Sequence, residues 1–401
     1  MGGAVVRRLR RNRPWTPQAT QPGGDPLSPT HDAAYGPTSP VGGPVTQADP
    51  YAVGRRSSTL LTLLFVLIVA GGVVSFIPLP YVVLQPGPVT NTLGELDGKP
   101  IIQVKGATAY PAKGTLDFTT VRVVGGPGVR VNAFDLAEAA LRKDYEIFPR
   151  EQIYPEATTR EQIQQENAAE MVDSQEVAAA VALRETGRTV PEKVVVSQVP
   201  EGSPATGVLK AGDQFVSVAG KPADDASAVQ GAVRATKAGT PVSVVVRRDG
   251  KEQTLSVPTR DNDGTTIIGV LLGRDYELPV DVTITAGGVG GPSAGTMFSL
   301  AVYDVLTPGD LTGGKQIAGT GTMSPDETVG PIGGIRQKLS GAKDGGAEWF
   351  LAPEDNCGEV VGHVPDGLRV VRVGTFTEAL DAVEAIAAGK GNDLPSCASS
   401  P

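Results

Sequence analysis

A chain of 401 residues with 40% hydrophobic and 20% charged side chains exceeds one ordinary domain, so two folded modules and a tail are expected. Its formal net charge of −9 argues against nucleic acid as a partner, because neutralising phosphates needs a basic surface. The two cysteines, Cys357 and Cys397, exclude a four-cysteine zinc site and a Cys-x-x-Cys redox pair, and leave one bridge between them open. Of the two histidines, His31 falls in a polar tail and His363 in what reads as a solvated surface loop. A hydrolytic base in this chain is therefore expected to be something other than histidine. Nothing calls for a metal or an organic cofactor.

Residues 1–56 are rich in Pro, Gly, Ser, Thr and Gln, a composition too poor in apolar side chains to offset the entropy of ordering. They are expected to form a disordered tail, opening with Arg7-Arg8-Leu9-Arg10-Arg11 and closing with Arg55-Arg56. Residues 57–78 follow as an apolar run, with no charge between Arg56 and Glu95, long enough to cross a bilayer as a helix. Arginines lie only on its N-terminal side, which predicts a cytoplasmic tail and an extracytoplasmic remainder, anchored by a single pass in the plasma membrane. A cleaved signal peptide fits less well: the preceding tail is too long and no Ala-x-Ala site follows.

Beyond the span, 83–89, 101–105 and 115–124 read as strands, and 131–142 has helical periodicity. A longer helix is expected over 159–185, with Thr158 and Glu161 at capping-box spacing and Gly187 as terminator. From 188 to 260 short strands take over, at 194–199, 215–218, 242–246 and 253–257, with a helix over 226–237. Asp249-Gly250 between the last two strands signals a hairpin. The order Ser203-Pro204-Ala205, then Leu209-Lys210-Ala211-Gly212-Asp213, then a strand and a glycine turn, resembles a bacterial-type PDZ domain. That resemblance implies capture of an extended peptide on a sheet edge. The ligand loop is expected ahead of the first strand, at Gly187, Arg188, Thr189 and Val190.

The chemistry-bearing segments lie further on. Gly291-Pro292-Ser293-Ala294-Gly295 leads into a helical stretch, so Ser293 sits where unpaired backbone N–H groups and a positive helix end meet. A hydroxyl there could attack a carbonyl while nearby amides, with Gly291 and Ala294 as the supporting backbone, receive the oxyanion. It could equally be a helix cap. A phosphate loop is excluded, since no Lys-Ser or Lys-Thr follows a Gly-x-x-x-x-Gly anywhere in the chain.

A second segment, Pro331-Ile332-Gly333-Gly334-Ile335-Arg336-Gln337-Lys338, opens another helix. Ile335, Leu339 and Ala342 form its apolar stripe; Lys338 lies at the edge in line with Gly334, Gly341 and Gly345, while Arg336 and Lys343 face away. A lysine among glycines can be stripped of water, which lowers its pKa and lets it take a serine proton. Taken alone, such a lysine is more often a solvated charge.

Together, Gly291-Pro292-Ser293-Ala294-Gly295, Thr320-Gly321 and the segment ending at Lys338 resemble the proteolytic domain of Lon proteases, in that family's order. The resemblance implies Ser293 as nucleophile, Lys338 as base and Thr320 as the residue that orients the lysine. Gly290 replaces an acidic residue often found before the motif, and Thr322 replaces a glutamate after Thr-Gly. Segments 113–120 and 171–183 resemble the early hairpin and helix of the same fold. An α+β fold is thus expected, with residues 79–187 and 261–390 forming the Lon-type part, the PDZ module 188–260 inserted between them, and 391–401 a tail.

The layout resembles the membrane-anchored PDZ-Lon proteins of Gram-positive bacteria. It implies an ATP-independent serine endopeptidase acting on peptides or unfolded proteins outside the cytoplasm, and a hexamer as the family's assembly. The alternative is a catalytically silent peptide-binding adaptor at the membrane.

Overall fold

A computed structural model of the chain describes residues 55–155 and 158–397. The expected tail, His31 with it, lies outside the described residues apart from its last two positions, as do residues 398–401. Helix α1, Arg55–Ser75, opens the described part. Its stretch Arg56–Ser75 has a mean hydropathy of 2.3 and none of it is buried against protein. At about 1.5 Å per residue it is about 30 Å long, the thickness of a bilayer's hydrocarbon core.

The chain then lays down β1 (Tyr81–Asn91), β2 (Ile102–Lys105) and β3 (Thr115–Val124), followed by α2 (Ala133–Leu141) and β4 (Glu146–Pro149). Helix α3 (Arg160–Glu185) comes next. Its capping box uses Thr159 and Gln162 rather than Thr158 and Glu161, with both reciprocal bonds formed. Two overlapping Thr-x-x-acid/amide pairs satisfy the same rule, and the helix register selects the later one.

Five antiparallel strands follow: β5 (Glu192–Gln198), β6 (Gln214–Val218), then, after helix α4 (Ala226–Arg234), β7 (Val242–Arg248), β8 (Lys251–Val257) and β9 (Leu271–Tyr276). They pair in the order β8-β7-β6-β5-β9. Asp249 and Gly250 both take positive φ, 51° and 75°, as the two-residue β7–β8 turn requires. Val194, Val196, Phe215, Val229, Val233, Val244 and Val246 close a separate core beneath this sheet.

Strand β10 (Asp281–Ile284) then pairs with β2. Helix α5 (Gly295–Leu306), β11 (Gln316–Gly319), the hairpin β12 (Thr322–Met323) and β13 (Val329–Gly330), α6 (Ile335–Asp344), β14 (Trp349–Pro353), β15 (Arg369–Val373) and α7 (Phe376–Ala387) complete the chain. The main sheet runs β15-β14-β11-β3-β1-β4. Its first four strands are parallel, and β1 runs antiparallel to both of its neighbours, β3 and β4. Strands from before residue 150 and after residue 315 share this one sheet, so the five-stranded module is an insertion, as the motif order implies.

Strand alternation divides the main sheet's two faces. Leu116, Phe118, Ile317 and Leu351 meet α5, with Met297, Phe298 and Leu300, backed by α3 and α7. Helix α5 is apolar on every side and is buried on nearly every side. On the opposite face Ala318, Phe350 and Ala352 meet Ile335, Leu339 and Ala342 of α6, the stripe read from the sequence.

Cys397 departs from its expected place in a C-terminal tail. It is 4% exposed, packs within the α6 core and is bonded to Cys357. The bridge closes a loop spanning 40 positions, which in chain-entropy terms restricts the unfolded state by about 3–4 kcal/mol. Cys397→Ser is expected to lower unfolding stability by about that amount in denaturant titrations, and the difference should vanish when wild type is fully reduced.

Candidate active site

Ser293, Thr320 and Lys338 come from three separate elements and meet at one point. Lys338 Nζ donates to Ser293 Oγ at 2.9 Å and to Thr320 Oγ1 at 2.9 Å. Thr320 Oγ1 in turn donates to Ser293 O at 2.9 Å, which leaves its lone pairs to the lysine. Gly321 N–H donates to the same carbonyl, also at 2.9 Å.

Ser293 does not cap α5. The N-cap is Ala294, with no side-chain cap bond, and Ser293 lies in the preceding turn with Oγ free of the helix backbone. Three contacts fix that turn. Gly291 N–H donates to Asn167 O at 2.8 Å, Ser174 Oγ donates to Pro292 O at 3.1 Å, and Thr296 N–H donates to Gly321 O at 3.1 Å. The Gly291 amide is thus committed to α3, which leaves Gly291 as backbone support with a φ of +88°. Among the described residues the amides of Ser293 and Ala294 carry no hydrogen bond. They are donors at a helix N-terminus beside the hydroxyl, where an oxyanion can be received.

Glycine packing delivers Lys338. Helix α6 begins at Gly334, whose φ is +70° and where a Cβ would stand 2.7 Å from Val121 Cγ2. Two and three turns on, Gly341 and Gly345 let the helix lie against β1, a Cβ there meeting Gly87 O at 3.3 Å and Val89 Cβ at 3.2 Å. The side chain of Lys338 is consequently buried, the residue 3% exposed. Burial lowers its pKa from the ordinary lysine value to about 7, because an ammonium ion shut away from water is disfavoured.

Two features of the site were not legible in the sequence. Arg336 donates from Nη1 to Glu146 Oε1 at 2.7 Å, and Gln337 Nε2 donates to Glu146 Oε2 at 3.2 Å, so the edge strand β4 fixes the helix that carries Lys338. Ser174 and Asn167 of α3 hold the Ser293 turn; the only sequence signal was Ser174 standing on a stripe with Met171 and Ala178. His363 is exposed, as expected.

A second concavity, about 480 Å³, lies between α4 and the edge strand β9. Val229, Val233, Ile268 and Leu272 give it an apolar floor, and residues 265–270 close one end. Gly187, Arg188, Thr189 and Val190 do not line it. Gly187 has a φ of +80° in the turn that ends α3, Arg188 N–H returns to Leu183 O, and Val190 is buried in the main core. The sheet edge beside the groove belongs to β9, the last strand of this sheet in chain order, so the loop leading into the groove precedes β9 and not β5. An ionic chain joins this edge to the main fold. Arg274 Nε donates to Glu192 Oε1 at 2.7 Å, Glu192 pairs with Arg184, and Arg184 Nη1 donates to Pro325 O at 2.9 Å in the β12–β13 turn.

Residues 274–387 match the family of the Lon protease (S16) C-terminal proteolytic domain, and residues 165–259 match the PDZ domain family. The chain carries a Lon-type serine peptidase domain and a PDZ domain. Lon protease 2 of Bacillus subtilis is 32% identical over 113 residues, covering 27% of this chain and 19% of that protein. The Lon protease of Azospirillum brasilense is 36% identical over 93 residues, 22% of this chain and 11% of that one. The chain thus spans about a fifth or less of the length of these curated relatives. Among solved structures, the PDZ domain of an SdrC-like protein from Listeria monocytogenes is 26% identical and covers 20% of this chain and 85% of that chain, with a TM-score of 0.19.

Within the Lon-type domain, Gly290 has a steric reason to lack a side chain. A Cβ there would stand 2.7 Å from Asn167 Cβ and 3.3 Å from its carbonyl carbon. Gly290→Asp should therefore displace the start of α3 from the Ser293 turn and cost about 1–3 kcal/mol, read from the denaturant midpoint.

Proposed function

We propose that the chain is an ATP-independent serine endopeptidase, anchored in the plasma membrane by α1, that cleaves extracytoplasmic peptides or unfolded proteins with Ser293 and Lys338. The observation that carries this reading is the 2.9 Å contact between Lys338 Nζ and Ser293 Oγ in a site dry enough to lower the amine's pKa to about 7. Neutral Lys338 takes the Ser293 proton as Oγ attacks the scissile carbonyl carbon. Thr320 holds the amine in line. The amides of Ser293 and Ala294 receive the developing oxyanion. When the tetrahedral intermediate collapses, the lysine returns its proton to the leaving amine nitrogen, and the acyl group stays on Oγ. Water then attacks the acyl carbon, giving its proton to Lys338, and Ser293 leaves with it.

The membrane reading rests on α1 and on the arginines ahead of it. Independence of ATP rests on the missing phosphate-loop motif in these residues. Substrate capture is assigned to the groove between α4 and β9, where an extended segment can add to the β9 edge. The Arg274–Glu192–Arg184–Pro325 chain ties that edge to the β12–β13 turn.

The test is incubation of the purified full chain with an unstructured protein. Ser293→Ala and Lys338→Ala should each lose activity by at least about a thousandfold, and Lys338→Arg should not rescue it, since a guanidinium does not deprotonate near neutrality. The acting form of Lys338 is neutral. Cleavage should therefore rise about tenfold per pH unit below pH 7 and level off above it. Persistent cleavage in either alanine variant would remove the mechanism; peptide binding without cleavage by wild type would favour the adaptor.

Val233→Glu puts an unpaired charge on the groove's apolar floor. Titration with a fluorescent extended peptide should show binding weakened by about tenfold or more. Turnover of a short peptide that needs only the Ser293 site should be unchanged.

A further inference from the structure

The surface around the exit of α1 carries large apolar side chains that no described residue covers. The inner face of α2, Leu136 and Ala139, packs with Val83, Val124, Val131 and Tyr145 in a small core of its own. Its outer face presents Phe134, Ala137 and Leu141 at helical spacing, with Phe134 55% and Leu141 87% exposed. Asp135 is turned to the N-cap, where its carboxylate accepts the Asn132 N–H at 2.8 Å, and Glu138 stands at the rim of the outer face. Phe76, Ile77 and Val129 add further exposed apolar surface. A helix apolar on both faces is ordinarily buried on both, and clustered exposed hydrophobes mark a surface that meets a partner.

Two contacts place this surface beside α1. Leu79 N–H donates to Val131 O at 2.8 Å, just ahead of α2. The Phe134 ring reaches Gly71, where a Cβ would meet Cζ at 3.7 Å. Gly71 lies about 6 Å along the axis from the last residue of α1, about one turn inside the helix. With α1 across a bilayer, Phe134 stands at the depth of the acyl chains, and Leu141 shares its face. Exposed Arg130 and Lys143 border the patch, where cationic heads can reach lipid phosphates while their stems cover apolar surface.

We infer that α2, together with Phe76, Ile77 and Val129, is seated in the boundary of a lipid bilayer, with Phe134 and Leu141 as its anchors. The folded part is then held flat on the membrane, not suspended from α1. A second protein copy over the same face fits less well, because that face adjoins a helix that itself needs lipid around it. The inference rests on the reading of α1 as a membrane span, and the experiment separates the two.

The full chain is reconstituted into phosphatidylcholine–phosphatidylglycerol vesicles carrying, one at a time, Phe65→Trp in α1, Phe134→Trp, Leu141→Trp, or Val361→Trp on an exposed site far along the chain from α2. Emission above the wild-type background is compared between ordinary and acyl-brominated lipid. Leu141→Trp and Phe134→Trp should lose most of this emission in brominated lipid, as Phe65→Trp does, while Val361→Trp keeps it. The substituted side chains are exposed, so folding is not at stake. Quenching at position 65 without quenching at 134 and 141 would overturn the inference and leave the span intact. A blue-shifted but unquenched Leu141→Trp would assign the face to a protein partner instead. Loss of quenching at position 65 would remove the membrane reading itself, and this inference with it.

Discussion

Close approach of α6 to β1 is the constraint on which the site depends. Gly341 and Gly345 remove the side chains that would hold the helix off the strand, and Gly87 O and the Val89 side chain fill the space. Lys338 then has nowhere to keep a hydration shell. Its amine finds two hydroxyl oxygens and little else, which is enough to hold its position and too little to stabilise a full charge. A lysine in the same sequence position, on a helix one side-chain layer further out, would be an ordinary surface cation.

The rest of the main fold presents the partners to that amine. Helix α5 is buried against the sheet, and its N-terminal turn is fixed from α3 by Asn167 and Ser174 and from the next strand by Gly321. Gly321 has a φ of +151°, and a Cβ there would stand 2.5 Å from Thr296 Oγ1, so the Thr320–Gly321 pair and α5 are locked together. Glu146 holds α6 from the sheet's far edge through Arg336 and Gln337. Lys338 thus stands on a helix, and Ser293 and Thr320 on short connections pinned by hydrogen bonds to their neighbours, which is what short, fixed geometry requires.

The inserted module has its own core but is not an independent bead. Its edge strand β9 and its first strand β5 share Glu192 as a common anchor, and Arg184 on α3 carries the link to the β12–β13 turn. Such a join fixes the β9 edge relative to the β12–β13 turn. It also explains why a module placed mid-fold does not disturb the sheet, since its two ends leave and return on the α3 side.

Much of this was legible in the sequence because it depends on local chemistry. Apolar length gave α1, period-2 alternation gave β3, Asp249-Gly250 gave the β7–β8 turn, and the Gly-Pro-Ser and Pro-Ile-Gly-Gly segments marked Ser293 and Lys338. What depends on distant approach was not legible. Sequence order does not say which strand ends at the sheet's edge; hydrogen-bond pairing puts β9 there, beside the groove. Cys397 was expected to fray because its neighbours are polar, yet a single covalent partner in the α6 core outweighs that local preference. Glu146, Asn167 and Ser174 carried no motif, since their roles arise only where β4 and α3 fold onto α6 and α5. By itself the sequence determined which residues could do the chemistry; tertiary structure alone decided how dry the lysine is, because desolvation is a property of what surrounds a group and not of the group.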